Sequence, residues 1–373
     1  MQSITVKAPG RINLIGEHTD YNNGYVLPAA IQKAATVTIE KRTDNLVVLT
    51  ALDLHESITI TIADIKPSAT QWVNYIIGVI AQFQKIKRFP SGFSVTLKSD
   101  IPIGAGLSSS AAIECAVAYA LNELFAFGID KMELALMAQK AEHEYAGVQC
   151  GIMDQFASLF GKKDEVVLLD CKTMEYQYFP FDLNEYSIVL FDTQIKHALA
   201  SSEYNTRRLE CEAGVAMIRE KYKEVATLRE ASLAMLNECV NENLHPIIYN
   251  RCKYVIQEIE RTVAATKNLA ANDLKAFGAK MFATHEGLSK LYEVSCPELD
   301  LLVDMVKNKE QVLGARMMGG GFGGCTINII KKNAVNDLIA SVSETYKQQT
   351  GKDLQHYMVS IEDGANVIAN SKF

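Results

Sequence analysis

Apolar residues two positions apart mark the start of the chain as strand. Ile4, Val6 and Ala8 share one side of "SITVKA". Ala35, Val37 and Ile39 share one side of "AATVTIE", and Ile58, Ile60 and Ile62 one side of "SITITIA". Successive side chains of an extended chain point to opposite faces, so each run predicts a half-buried strand. The period then changes. In "QWVNYIIGVIAQFQ", Trp72, Tyr75, Ile76, Val79, Ile80 and Phe83 recur at three- and four-residue steps, which places them on one helical face. "GFSVTL" returns to strand. "SAAIECAVAYALNELF" and "KMELALMAQKAEHEYA" read as helices, and "EVVLLD" and "SIVLFD" as strands. From Ser201 to about Lys290 the chain is helix-rich. "SCPELDLLVDMV" predicts a helix start with Ser295 as cap, Pro297 in the first turn and Glu298 three residues after the cap. "ARMMGGGFGGCTINII" reads as strand, glycine-rich turn and strand. A helix near 333–349 and a last strand, "HYMVSI", complete an α+β tail.

A chain of 373 residues, 48% hydrophobic, exceeds one ordinary compact domain. Two domains are expected, 1–180 and 181–373, divided at the proline-containing stretch near Phe179–Phe181. The net charge of -7 disfavours general binding of nucleic acid or anionic membrane. Any phosphate site must therefore be built locally, from loop amides and a few placed cations. Eight cysteines are scattered without CxxC or zinc spacing, so free thiols in a reducing compartment are expected. The opening "MQSITVKAPG" lacks the zones of a signal peptide, and no apolar run reaches membrane-spanning length. A cytoplasmic protein is the expectation.

Candidate chemistry centres on "PIGAGLSSSAA", residues 102–112, which joins a strand to a helix N-terminus. Helix starts offer unpaired N–H groups and partial positive charge, and glycines let the backbone approach an anion. The loop lacks the lysine of a P-loop and the spacing of a dinucleotide fingerprint. On its own it reads equally as a phosphate cradle or as a glycine-rich turn with a serine cap. "APGRINLIGEHTDYNNGYVLPAAI", residues 8–31, mixes Arg11, Glu17, His18, Asp20 and Tyr21 with Ile12, Leu14 and Ile15. That mixture suits a cleft-lining loop, where carboxylates accept from hydroxyls and histidine donates and accepts. It also suits a connecting loop with satisfied ion pairs. In "GVQCGIMDQFAS", Asp154 among apolar neighbours is a candidate base or fixed charge, or else a helix cap. "GGGFGG", residues 319–324, has more glycines than a plain turn needs. Close packing against a ligand or against the first glycine loop is expected.

Three separated stretches resemble one family. "APGRINLIGEHTDYNNG" is similar to the galactokinase signature, "PIGAGLSSSAA" to the ATP loop of the GHMP small-molecule kinases, and "MMGGGFGGC" to their third motif. "GIMDQFAS", "SSEYNTRR" and "VSCPELD" resemble further galactokinase segments. The resemblance implies a two-domain α+β GHMP kinase fold with the active site in the interdomain cleft. It implies phosphoryl transfer from ATP to the C1 hydroxyl of α-D-galactose, with Mg²⁺, in a monomer. Carried over by motif, Asp154 is the acid/base candidate and Arg11 the cation that keeps it ionised. Glu17, His18, Thr19, Asp20, Gly151 and Tyr204 would hold the sugar. Gly104, Ala105, Gly106, Leu107, Ser108, Ser109 and Ser110 would cradle the phosphates. Ser110 and Glu142 would lie near Mg²⁺, and Trp72 and Tyr75 would border the adenine. The alternatives are a kinase for N-acetylgalactosamine or arabinose, and a galactose sensor without turnover. The wealth of hydroxyl-binding groups in "GEHTDY" disfavours a homoserine or mevalonate kinase.

Overall fold

The alternating stretches become strands of one sheet. A computed structural model describes residues 2–87, 89–195 and 200–371, the side chains of Ala200 and Ser201 aside. The first sheet has six strands. They are β1 (Ser3–Asn13), β3 (Pro28–Lys41), β4 (Leu46–Ala51), β5 (Glu56–Thr61), β6 (Phe93–Ser99) and β13 (Asn366–Ser371), in the order β13-β1-β3-β6-β4-β5. Only the β4–β6 pair is parallel. Ile4, Val6, Ala8, Ala35, Val37 and Ile39 are buried as their alternation requires, whereas Ile58 and Ile60 are half-buried on the edge strand β5. Two short pieces, β2 (Tyr25–Val26) and β8 (Tyr176–Pro180), flank β7 (Glu165–Asp170) in a three-stranded sheet. The expected division at 180/181 falls at the end of β8. The third sheet, β10-β11-β9-β12, joins β9 (Tyr186–Asp192), β10 (Val312–Met317), β11 (Cys325–Lys331) and β12 (Gln355–Val359).

The helices α1 (Gln71–Ile86), α2 (Ser109–Phe125), α3 (Lys131–Ala141) and α4 (Met153–Phe160) pack together. α2, buried along most of its length, lies against β1 and β3. A π-helical turn, Glu142–Ala146, continues α3. The expected helix-rich stretch holds α5 (Ala200–Lys221), α6 (Leu233–Cys239), α7 (Pro246–Ala270) and α8 (Leu274–Gly287), then a π-helical turn, Leu288–Tyr292. Two further helices, α9 (Pro297–Val306) and α10 (Val335–Thr350), cover the third sheet with a separate apolar core. No helix among the described residues is long and apolar enough to cross a membrane.

Two local expectations are corrected. Cys296, not Ser295, occupies the N-cap position of α9, and it makes no side-chain cap bond. The Ser295 hydroxyl instead donates to Asp300 Oδ1 at 2.6 Å. "HYMVSI" is not the last strand. β13 follows it and pairs antiparallel with β1, from Ser3↔Ser371 to Lys7↔Asn366.

Candidate active site

The Gly/Ser loop is strapped to β1. Arg11 N–H donates to Leu107 O at 3.2 Å, and a Cβ on Gly10 would lie 2.5 Å from that oxygen. Ser108 sits at the N-cap of α2 in the left-handed region, φ 58°, yet its hydroxyl caps nothing. It donates to Asp154 Oδ2 at 2.6 Å. The first amides of α2 are thus left without a side-chain acceptor, which is the condition an anion site requires. This geometry removes the serine-cap reading of the loop. The second glycine run meets the first: a Cβ on Gly319 would lie 3.3 Å from Gly106 O, and one on Gly324 would lie 3.4 Å from Ala105 O.

Asp154, in the first turn of α4, is no helix cap either. Arg11 Nε donates to its Oδ1 at 2.8 Å and Arg11 Nη2 to its Oδ2 at 3.0 Å, a bidentate pair. Arg11 Nη1 also holds Gly106 O at 2.6 Å, so one buried guanidinium ties the loop to the carboxylate. Burial opposes charge on Arg11, but Asp154, Glu17 and Asp20 outweigh it and raise its pKa.

Glu17 is 1% exposed. Its Oε1 accepts from Gly319 N–H at 2.7 Å and from Arg316 Nη2 at 3.1 Å. Burial pushes its pKa up, but Arg316 and Arg11 together hold it below the usual carboxylate range. Arg316 is fully buried on β10 and also donates to Leu14 O at 2.9 Å and to Asn13 O. Among the described residues no such cation contacts Asp20. Burial first, then Asp154 and Glu17, raise its pKa to about 7. Burial also lowers His18, to about 4, so its imidazole is neutral.

These groups line one cavity of about 370 Å³. Of the expected residues it takes in Arg11, Glu17, His18, Asp20, Gly104, Gly106, Leu107, Ser108, Ser109, Ser110, Glu142, Gly151, Asp154 and Tyr204. Ala105, within the loop, is buried and does not line the cavity. Thr19 stands apart, because its hydroxyl lies 2.9 Å from Gly16 O and 2.7 Å from Tyr25 O. It braces the polar loop and does not face the cavity. Trp72 and Tyr75 also lie outside the lining. Trp72 Nε1 donates to Glu56 at 2.6 Å. Burial and the charges of Glu142 and Glu114 raise Tyr75 to about 12, which puts α1 near the Glu142 end. Arg316 had no sequence signal, since a lone arginine in a strand pattern reads as a surface residue.

Gly151 is needed for its missing side chain. A Cβ there would lie 2.0 Å from Asp20 Oδ2. Gly151→Ala should displace Asp20 and, for the sugar that the resemblance implies, raise the Michaelis constant by about tenfold with less effect on kcat, measured by steady-state kinetics. An unchanged constant would separate Asp20 from binding in this cavity.

At the start of α2, Ser110 Oγ donates to Glu142 Oε1 at 2.9 Å, and Gln155 Nε2 holds Glu142 Oε2 at 2.7 Å. One carboxylate and one hydroxyl beside the uncapped amides of α2 would suit Mg²⁺, an ion that takes one or two protein oxygens and keeps several waters. No group of three or more His, Cys, Asp or Glu among the described residues forms a cage for a metal ion.

Comparison with known proteins agrees with this geometry. Residues 2–41 match the galactokinase galactose-binding signature, 74–162 the GHMP kinases N terminal domain, and 265–348 the GHMP kinases C terminal family. Galactokinase of Thermotoga petrophila is 43% identical over 363 residues, covering 97% of this chain and 99% of that protein. Galactokinase of Clostridium acetobutylicum is 40% identical over 365 residues, covering 97% and 94%. The crystal structure of Lactococcus lactis galactokinase complexed with galactose superposes with a TM-score of 0.92 at 34% identity, covering 98% of this chain and 95% of that one. The Methanococcus jannaschii mevalonate kinase shares the fold alone, with a TM-score of 0.64 at 19% identity. With motif, fold and full-length similarity in agreement, the chain belongs to the galactokinase family of GHMP kinases.

Proposed function

We propose that the chain transfers the γ-phosphate of ATP to the C1 hydroxyl of α-D-galactose, giving galactose 1-phosphate and ADP. The observation that carries this reading is the Asp154 carboxylate, bound by Arg11 and Ser108 in a cavity rich in hydroxyl-binding groups. A carboxylate has about four acceptor positions. Arg11 takes two and Ser108 one, with two of these bonds on Oδ2. The open position on Oδ1 suits the C1 hydroxyl. As the new P–O bond forms and the bond to ADP breaks, the hydroxyl proton passes to Oδ1. Arg11 counters the negative charge that develops. Phosphoryl transfer asks mainly for such alignment and charge compensation.

The amides at the start of α2 hold the phosphates. Ser110 and Glu142 would hold Mg²⁺, which when bound neutralises phosphate charge. Glu17, His18, Asp20 and Tyr204 select the sugar. The eight free cysteines suit a reducing cytoplasm, and the reading takes the enzyme as a monomer there.

Asp20 adds a pH dependence. As an acceptor for sugar hydroxyls it works ionised, whereas in the free protein it holds its proton up to about pH 7. Binding below that pH must release the proton. The value of kcat/KM for galactose should therefore fall as pH drops below about 7 and level off above it. Asp20→Asn should remove the inflection and raise the galactose KM; an unaltered pH profile would take Asp20 out of the sugar site.

The deciding experiment is incubation of the purified chain with Mg²⁺, ATP and a panel of sugars: galactose, its epimers, N-acetylgalactosamine and arabinose. Phosphorus NMR then locates the new phosphate. Galactose 1-phosphate as the preferred product is expected. Its absence overturns the reading.

A further inference from the structure

His18 faces the cavity at one end of a buried chain of polar groups. Its Nδ1 lies 2.8 Å from Tyr21 Oη, Tyr21 Oη lies 2.7 Å from Tyr292 Oη, and Tyr292 Oη lies 3.3 Å from Cys211 Sγ. The His18 ring packs against the Tyr292 ring at 5.0 Å and the Tyr204 ring at 5.1 Å. Neither Tyr21 nor Tyr292 lines the cavity; they reach a ligand through the rings they touch, His18 by the hydrogen-bonded chain and, for Tyr21, Tyr204 by an edge contact of 5.4 Å. We propose that Tyr21 and Tyr292 are positioning residues that fix His18 in the tautomer with hydrogen on Nε2, making it a donor to a hydroxyl oxygen of the sugar. The inference rests on the reading of this cavity as a sugar site.

Each hydroxyl and the thiol carry one hydrogen, because burial pushes their pKa values well up, and the imidazole is neutral. A chain in which each tyrosine hydroxyl both donates and accepts, so that neither buried O–H is stranded, has only two polarities. In one, the thiol donates to Tyr292, Tyr292 to Tyr21, and Tyr21 to Nδ1, so the ring hydrogen sits on Nε2. In the other, Nδ1–H starts the chain, Nε2 is a bare lone pair, and the last donor ends on sulfur. Two observations choose the first polarity. A phenol O–H is a stronger donor than a neutral imidazole N–H, and a bare Nδ1 is a stronger acceptor than a phenol oxygen, so the Tyr21–His18 link favours the first polarity. The surroundings of Nε2 point the same way. Nε2 is buried without a hydrogen bond of ordinary geometry, and at the ring the Glu17 carboxylate and the Gly320 backbone, which favour positive charge, outweigh Arg207 and Arg316, which oppose it. An N–H is attracted there and a lone pair is repelled.

The chemistry of the site gives such a donor a purpose. Glu17 and Asp20, once ionised, only accept. A sugar hydroxyl that gives its hydrogen to one of them has an oxygen still to satisfy, and a neutral Nε2–H satisfies it. An imidazole of the opposite tautomer would add a third acceptor and strand that oxygen.

Nitrogen-15 NMR of the full chain labelled in its histidine rings decides the tautomer without any turnover. His18 is one of seven histidines and is assigned by the signal that disappears in His18→Gln. At neutral pH, a protonated Nε2 and a bare Nδ1 are expected; the reverse pattern overturns the proposal. Tyr21→Phe removes the donor to Nδ1. The ring should then redistribute its hydrogen, and the galactose KM should rise about fivefold or more with kcat within about twofold, the scale of one neutral hydrogen bond. Unchanged tautomer and unchanged KM in that variant overturn the proposal, as does a shifted tautomer with unchanged KM. Should the wild-type chain phosphorylate no sugar, the functional reading fails while the NMR result still decides the polarity of the chain.

Discussion

Steady-state kinetics of Asp154→Asn should show kcat reduced by about 10²-fold or more, with the galactose Michaelis constant within about threefold of wild type. The amide keeps the shape of the side chain and one oxygen for Arg11. It lacks the basicity to take a proton. Arg11 is not stranded by the change, since Glu17 and Asp20 still support its charge. A loss concentrated in kcat marks an interaction made in the transition state, and an equal rise in KM would mark a binding role instead. Turnover close to wild type would remove Asp154 from the proton path. The aligned C1 oxygen would then lose its proton by another route, with Arg11 as the remaining group in place.

The second large effect belongs to Arg316. Arg316→Met leaves the Glu17 carboxylate buried without its strongest cation. Breaking a buried pair from one side costs about 3–5 kcal/mol, because the remaining charge has no water to return to. Urea unfolding should register a loss of that order. Adding Glu17→Gln should recover part of it, since both charges are then gone, and a double-mutant cycle measures the coupling. The recovered double variant should still bind galactose poorly, because Glu17 lines the cavity proposed for the sugar. An Arg316→Met protein that unfolds at the wild-type urea midpoint would show that Arg316 does not hold the loop.

The contrast between these two residues measures what the chain reveals before it folds. Asp154 and Arg11 lie in stretches whose mixture of charge and large apolar residues already suggests a cleft. The alternation of Ile4, Val6 and Ala8 announces β1, and the switch to helical spacing at Trp72 announces α1, because burial on one face leaves a period in the sequence. Arg316 leaves none. Its importance comes from three backbone carbonyls and one carboxylate that only the folded chain gathers. Tyr292 is silent in the same way, being an aromatic residue on a short π-helical turn until its hydroxyl meets Tyr21. β13 went unread because its strand positions are mostly exposed and carry no apolar alternation. Ser295 misled because a Ser-x-Pro-Glu run resembles a capping box, while Asp300 competes for the hydroxyl. Thr19 shares a motif with the cavity-lining Glu17, His18 and Asp20, and only its hydrogen bonds reveal that it faces the other way.

The pairing of β13 with β1 has a consequence for how the enzyme is made. Ser3 and Ser371 hydroxyls meet at 2.6 Å across 368 residues of chain. During synthesis the outer edge of β1 has no mate for roughly 20–70 s, the time a ribosome needs to reach the far end. An uncovered strand edge invites neighbouring nascent chains to dock on it. Expression yield should thus depend on chaperone supply and growth temperature more than the finished enzyme's stability suggests.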